Sequence, residues 1–262
     1  MSAQAGLLRD KTVLVTGASR GIGRCIAETY ASQGAKLIIT AEPSQESELQ
    51  QVAKACSQHG KDNVVNASIL LCDLTDSSQI SQLCQKTFEM HSSGVDVLVN
   101  NAGMLGPTDF DMENMGQGPL EGDPDEWNKI YQANVLAPMR LTRALCPAMR
   151  EAGQGWVINI CSAAGLVPSP TNGAYCSSKW GLRGWSLTCH EALKEHGIRV
   201  VTIHPGAVRT EMTMNRPDMD PIPKMEIQPE DIAEAALLPF RCSQNALPVE
   251  IMMQTVRKSN KS

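Results

Sequence analysis

The chain has 262 residues, 42% of them hydrophobic and 19% charged, with a net charge of −5 and a pI near 5.6. That length reads as one domain spanning residues 1–262, and the acidic balance excludes a nucleic-acid binder that works through clustered Lys and Arg. No run of about 18 apolar residues is present to span a membrane, residues 1–10 carry no apolar signal segment, and the nine cysteines form no CxxC or Cys/His pattern, so thiols in a reducing cytoplasmic setting, with no metal site, are expected.

The first apolar run, Thr12 to Thr16, is rich in β-branched residues and stops at a glycine loop. A helix-length segment follows at 21–33, then a second run, Lys36 to Thr40, and a helix at 45–59. The pattern repeats with a strand at Ser68 to Cys72 and a helix at 77–92, then with a strand at Val95 to Val99 and a helix at 125–150. It continues with a strand at Trp156 to Ile160 and a helix at 174–196. A strand at Ile198 to Ile203 is followed by a helix at 229–238, which opens on Pro229-Glu230-Asp231, and a last strand runs from Val249 to Met253. Proline and acids suit a first helical turn. Strands without polar alternation are buried on both faces, which means a parallel sheet covered by helices. The expected fold is therefore α/β, a doubly wound, Rossmann-type parallel sheet of about seven strands with helices on both faces. Two segments interrupt the alternation. Phe110 to Pro124 reads as a surface loop, and Met212 to Gln228 as a substrate-binding loop, both at the sheet end where open α/β folds bind ligands.

Thr16-Gly17-Ala18-Ser19-Arg20-Gly21-Ile22-Gly23 joins the first strand to the first helix. Helix N-terminal N–H groups and the positive end of the dipole favour a phosphate there, and glycines allow its close approach. The spacing is GxxxGxG rather than GxGxxG. It resembles the classical branch of the short-chain dehydrogenase/reductase superfamily, and other motifs carry the same resemblance in chain order. These are Asn100-Asn101-Ala102-Gly103 after the fourth strand, Asn134 within Ala133-Asn134-Val135, Ser162 after the fifth strand, Tyr175-Cys176-Ser177-Ser178-Lys179 as a YxxxK motif, and Pro205-Gly206-Ala207-Val208-Arg209-Thr210 as PGxVxT.

The resemblance implies an NAD(P)-dependent oxidoreductase that interconverts a carbonyl and an alcohol by hydride transfer, with Asn134, Ser162, Tyr175 and Lys179 catalytic. Tyr175 and Lys179 are four apart and share a helix face; a neighbouring ammonium favours the phenolate, which suits a phenol to proton transfer. By resemblance Tyr175 exchanges the proton and also belongs to the cofactor-binding set, Ser162 bonds the substrate oxygen, Lys179 also holds the nicotinamide ribose, and Asn134 anchors a relay water. Gly17, Ser19, Arg20, Gly21, Ile22 and Gly23 match the pyrophosphate loop. Asp73 matches the acid that binds the adenine amino group, a role the resemblance favours over capping the helix that follows. Asn101, Ala102 and Gly103 match the adenine-ribose side, and Pro205, Gly206, Val208 and Thr210 the nicotinamide side.

Cofactor choice turns on the end of the second strand, where an acid selects NAD. Ala41 stands there, and Arg20 can meet a 2′-phosphate, whereas Glu42 would repel one if it faced it. NADP is the expected cofactor and NAD the alternative. His204 reads as a packed or capping residue, Cys161 and Cys176 as small apolar fillers, and Trp180, Leu182 and Trp185 as packing or subunit contact. Met104, Met212 and Met214 with Leu105, Leu166, Val167 and Pro168 are expected to flank an apolar, adaptable cleft for a small carbonyl or alcohol substrate. The resemblance also implies a homodimer or homotetramer. The competing reading is a catalytically weak dinucleotide-binding regulator or scaffold of the same fold. Such proteins break the catalytic tetrad, and here all four members are present. A sugar-nucleotide epimerase or dehydratase would be longer, with a different glycine spacing.

Overall fold

Seven short apolar runs become seven strands of one sheet. In the computed structural model, which describes residues 6–58, 67–106, 120, 123–168, 172–214 and 227–256, they are β1 (Thr12–Thr16), β2 (Lys36–Thr40), β3 (Ala67–Ile69), β4 (Val97–Asn100), β5 (Gly155–Ile160), β6 (Ile198–Pro205) and β7 (Glu250–Met253). The sheet order is β3-β2-β1-β4-β5-β6-β7 and every neighbouring pair is parallel. The helices are α1 (Gly21–Ser32), α2 (Glu46–Ser57), α3 (Ser77–Met90), α4 (Pro124–Tyr131), α5 (Ala137–Glu151), α6 (Gly173–Leu193), α7 (Glu211–Met214) and α8 (Pro229–Arg241). No helix of the described residues is long and apolar enough to cross a membrane.

Strand register explains why the runs lack polar alternation. Ile38, Leu14, Leu98, Val157 and Val200 line up across five strands on one face, where they pack with Leu83 of α3, Leu141 and Leu145 of α5 and Cys189 of α6. The next residue of each strand, Ile39, Val15, Val99, Ile158 and Val201, forms the matching row on the other face and packs with Ile26 of α1, Leu49 of α2 and Ile232 of α8. Each such side chain, taken fully out of water, contributes about 1.5–3 kcal/mol. A polar residue in either row would lie against helices, not solvent. Tyr30 adds a directional tie: its buried hydroxyl donates to the Ala236 carbonyl at 2.6 Å and joins α1 to α8.

Element boundaries depart from expectation where tertiary bonds intervene. The strand expected at 68–72 is assigned only as Ala67–Ile69, although the chain still follows β2, with the Leu70 and Cys72 N–H groups donating to the Ile39 and Ala41 carbonyls. The single helix expected at 125–150 is instead α4 and α5, joined by a π turn at Gln132–Leu136 that contains Asn134. The helix expected at 174–196 ends at Leu193, after which a 3-10 turn at Lys194–His196 leads to Gly197 at φ +74. The loop expected at 110–124 lies outside the described residues apart from 120, 123 and 124. Of the segment 212–228, residues 215–226 also lie outside them, and its first residues belong to α7.

Candidate active site

β1 leads to β2 on one side of the sheet and β4 to β5 on the other, so a crevice opens beyond the C-terminal ends of β1 and β4, where open α/β sheets bind ligands. A cleft of about 700 Å3 occupies that position. The glycine loop forms one wall. Gly17 and Gly21 have positive φ values of 62 and 55, and a Cβ on Gly17 would come within 2.8 Å of the Ala102 backbone. At the start of α1 the N-cap, Arg20, makes no side-chain capping bond, and the first turn holds no acidic residue. The result is a cradle of backbone N–H groups at a helix N-terminus, suited to an anion. Asn101 holds it in place: its side-chain amide donates to the Thr16 carbonyl at 2.9 Å and the Gly17 carbonyl at 3.1 Å.

Of the residues matched to the cofactor, Gly17, Ser19, Arg20, Gly21, Ile22, Asp73, Asn101, Ala102, Gly103, Tyr175, Lys179, Pro205, Gly206, Val208 and Thr210 all line the cleft. Gly23 does not. A Cβ there would lie 2.2 Å from the Gly17 carbonyl oxygen and 2.4 Å from the Asn101 amide, so Gly23 packs the helix against the loop behind the wall. Asp73 is not the cap of α3. That cap is Asp76, which accepts from the Ser78 and Gln79 N–H groups, whereas Asp73 Oδ1 accepts from the Thr75 N–H and hydroxyl at 2.8 and 2.7 Å. Ser44 and Gln45 were not legible as wall residues, yet both line the cleft beside Arg20 and Glu42, and the Ser19 hydroxyl donates to Gln45 Oε1 at 2.6 Å. Among the described residues no ion pair joins Arg20 to Glu42.

The second wall carries Ser162, Tyr175 and Lys179. Ser162 stands two residues past β5 and caps a short 3-10 turn, with its Oγ accepting from the Ala164 N–H at 3.1 Å. Lys179 is 3% exposed and its ammonium donates to the Ile160 carbonyl at 3.2 Å. A Cβ on Gly103 would lie 3.0 Å from Asn134 Oδ1 and in ordinary contact with Nζ, so the glycine leaves room for the Asn134 side chain. Asn134 is fully buried and does not line the cleft. Its amide donates to the Met104 carbonyl and to Ser178 Oγ, and its Oδ1 accepts from the Met104 N–H at 2.8 Å. Those bonds join the π turn to the β4 loop and to α6.

Met104, Leu105 and Met212 line the cleft, whereas Leu166, Val167 and Pro168 do not. Cys161 and Cys176 also line it, each donating its S–H to a backbone carbonyl, of Lys179 and Ala164 respectively. Burial, above all, pushes the Cys161 thiol up, which keeps it protonated and unreactive.

Residues 11–221 match the short chain dehydrogenase family. The chain is 34% identical over 230 residues to an uncharacterized oxidoreductase of Staphylococcus saprophyticus, covering 88% of this chain and 91% of that protein. It is 34% identical over 203 residues to the 3-oxoacyl-acyl-carrier-protein reductase FabG of Escherichia coli K12, covering 78% and 75%. Among solved structures, a short chain dehydrogenase of Escherichia coli CFT073 complexed with NADPH superposes with a TM-score of 0.81 at 30% identity, covering 95% of this chain and 99% of that one. A metagenomic short-chain oxidoreductase in complex with NADP gives a TM-score of 0.78 at 32% identity, covering 96% and 100%.

Proposed function

The chain belongs to the short-chain dehydrogenase family and is an oxidoreductase of that family, and on that premise we propose that it interconverts a carbonyl and an alcohol with NADP(H), Tyr175 exchanging the proton. The observation that carries the reading is the meeting of Ser162, Tyr175 and Lys179 in one cleft with the anion cradle at Gly17–Ile22. The cradle fits a dinucleotide diphosphate, because the N-terminal N–H groups of α1 have no side-chain cap and its first turn lacks a competing acid. A bound nicotinamide dinucleotide supplies or accepts the hydride.

The remaining work falls to the chain. Ser162 holds the substrate oxygen by a hydrogen bond. In reduction the Tyr175 hydroxyl gives its proton to that oxygen, and in oxidation the phenolate takes it back. Lys179 stabilises the phenolate and bonds the ribose hydroxyls. Asn134, whose side chain bonds Met104 and Ser178, remains the proposed anchor of a relay water. NADP is favoured over NAD by Arg20 at the cleft edge and by the NADP and NADPH carried by similar structures. Met104, Leu105 and Met212 suit an apolar carbonyl or alcohol. A homodimer or homotetramer is the proposed assembly, supported by Trp180, which is 44% exposed on α6, and light scattering tests it.

The deciding experiment follows cofactor absorbance with NADPH and NADH over aldehydes, ketones, 3-oxoacyl thioesters and hydroxy acids. Turnover of any of these classes with NADPH supports the reading. Tight NADPH binding with no turnover in either direction favours a dinucleotide-binding regulator instead.

A further inference from the structure

A second polar network lies behind Ser162, away from the reacting atoms. His204, near the end of β6, is fully buried on the α6 side of the sheet. Its Nδ1 faces the Ser162 carbonyl oxygen at 3.1 Å, and its Nε2 faces Glu250 Oε1, on β7, at 2.9 Å. Glu250 is in turn gripped by both arms of Arg183 on α6, with Nε donating to Oε1 at 2.7 Å and Nη2 to Oε2 at 3.1 Å. Arg183 stands one helical turn beyond Lys179 and two beyond Tyr175, and bidentate pairs of this kind fix orientation as well as distance.

The placement matters because of where the sheet ladder stops. β5 and β6 are joined as far as the Cys161 N–H, which donates to the Ile203 carbonyl at 2.7 Å. Ser162 lies one residue further on, and the His204 side chain continues the tie to β6. A backbone carbonyl can only accept, so a hydrogen bond there requires the hydrogen on Nδ1. The carboxylate likewise only accepts, so the Glu250 contact is a hydrogen bond where Nε2 carries a hydrogen. The Cys161 thiol nearby is held neutral by burial, and the ammonium of Lys179 is directed at Ile160. A simple packing role would be met by an apolar side chain, without burying an imidazole against two acceptors.

We propose that His204 is a positioning residue: through Nδ1–H it holds the Ser162 carbonyl, and through Glu250 and Arg183 it locks the Ser162 segment to the helix that carries Tyr175 and Lys179. The proposal rests on the reading of Ser162 as the group that holds the substrate oxygen. It does not place His204 in contact with substrate.

Two variants separate the two ring nitrogens. In His204→Asn the amide nitrogen falls where Nδ1 was and can still donate to Ser162, while the Glu250 contact is lost. In His204→Gln the amide reaches Glu250 and the Ser162 contact is lost. The expected result is a fall in kcat of about tenfold for His204→Gln, as for one lost orienting hydrogen bond. His204→Asn should lose distinctly less, and the NADPH Kd should be unchanged in both. Within a Ser162→Ala background, His204→Gln should add no further loss of kcat. Equal losses in the two variants, or a full further loss in the Ser162→Ala background, would overturn the proposal. If the His204 variants do not fold, Arg183→Met, at a partly exposed position, releases the outer link. It should lower kcat severalfold in the wild type and not in the Ser162→Ala background, and additivity there would equally overturn the idea. Failure of the parent reading is distinguishable, because nitrogen-15 NMR of the ring needs no turnover. A protonated Nδ1 supports the His204 contact, and an unprotonated Nδ1 ends it.

Discussion

The ammonium of Lys179 lies 5.6 Å from the centroid of the Tyr175 ring and 3.2 Å from the Ile160 carbonyl oxygen to which it donates. One helical turn separates the two residues on α6, and the carbonyl near the end of β5 keeps the buried lysine turned toward the cleft. The proposed acid–base group and its electrostatic partner therefore share one rigid element, anchored to the sheet.

Tyr175→Phe keeps the ring and removes the transferable proton. Turnover should fall by far more than tenfold, a barrier increase well above ~1.4 kcal/mol, while NADPH affinity, read by fluorescence titration, should stay close to wild type. A variant retaining a tenth or more of wild-type kcat would remove Tyr175 from the acid–base role.

Lys179→Met loses the phenolate partner and the proposed ribose contact at once. Both kcat and cofactor affinity should drop, in contrast to Tyr175→Phe. Steady-state kinetics combined with the same titration checks the split, and unchanged cofactor affinity would contradict the ribose contact.

Arg20 and Glu42 both line the cleft, with opposite charge. Arg20→Ala should weaken NADPH relative to NADH by roughly ten- to a hundredfold, the size of a charge-assisted pair of about 1.5–3 kcal/mol. Glu42→Arg should strengthen NADPH. Tighter NADH binding in the wild type, with Arg20→Ala leaving the ratio unmoved, would instead mean that Glu42 reads the ribose hydroxyls.

Gly23→Ala puts a methyl group within 2.2 Å of the Gly17 carbonyl oxygen, where only backbone can yield. The expected cost is about 1–3 kcal/mol of stability, seen as a lower denaturant midpoint, together with weaker dinucleotide binding because the loop itself must move. Wild-type values for both would show that the loop has slack.

Glu250 gives the fold a pH dependence. The hydrogen bonds from Arg183, first, and from His204 hold its carboxyl below the usual carboxylate range. A carboxyl depressed in the folded state stabilises fully above its unfolded pKa and loses that contribution as pH falls through the lower folded value. Glu250→Gln should therefore be less stable than wild type near pH 7, and the gap should narrow as the pH drops below about 4. A gap of constant size across urea melts at those pH values would show that the carboxylate charge adds nothing.

Much of this protein was legible in one dimension because its signals are local. A run such as Val13-Leu14-Val15 has no polar face, and the structure buries Leu14 on one side of the sheet and both valines on the other. The glycine loop and the four-residue spacing of Tyr175 and Lys179 are likewise short-range facts, and both line the cleft. The π turn around Asn134 left no such mark. Its widening accompanies bonds from Asn134 to Met104 and Ser178, partners far along the chain. The glycines of one motif also divided their labour only in three dimensions, Gly17 lining the cleft and Gly23 packing behind it. His204 shows the limit most plainly. Its sequence neighbours identify it as the end of a buried strand, and on that basis packing is the natural reading. What it bonds was decided by parallel pairing of β6 with β5 and β7 and by the seating of α6, which bring Ser162, Glu250 and Arg183 to one buried point. Periodicity and spacing determined the elements and where their motifs fall; the contacts those motif residues make were decided by tertiary packing, because a buried donor must be satisfied by whatever the fold sets against it.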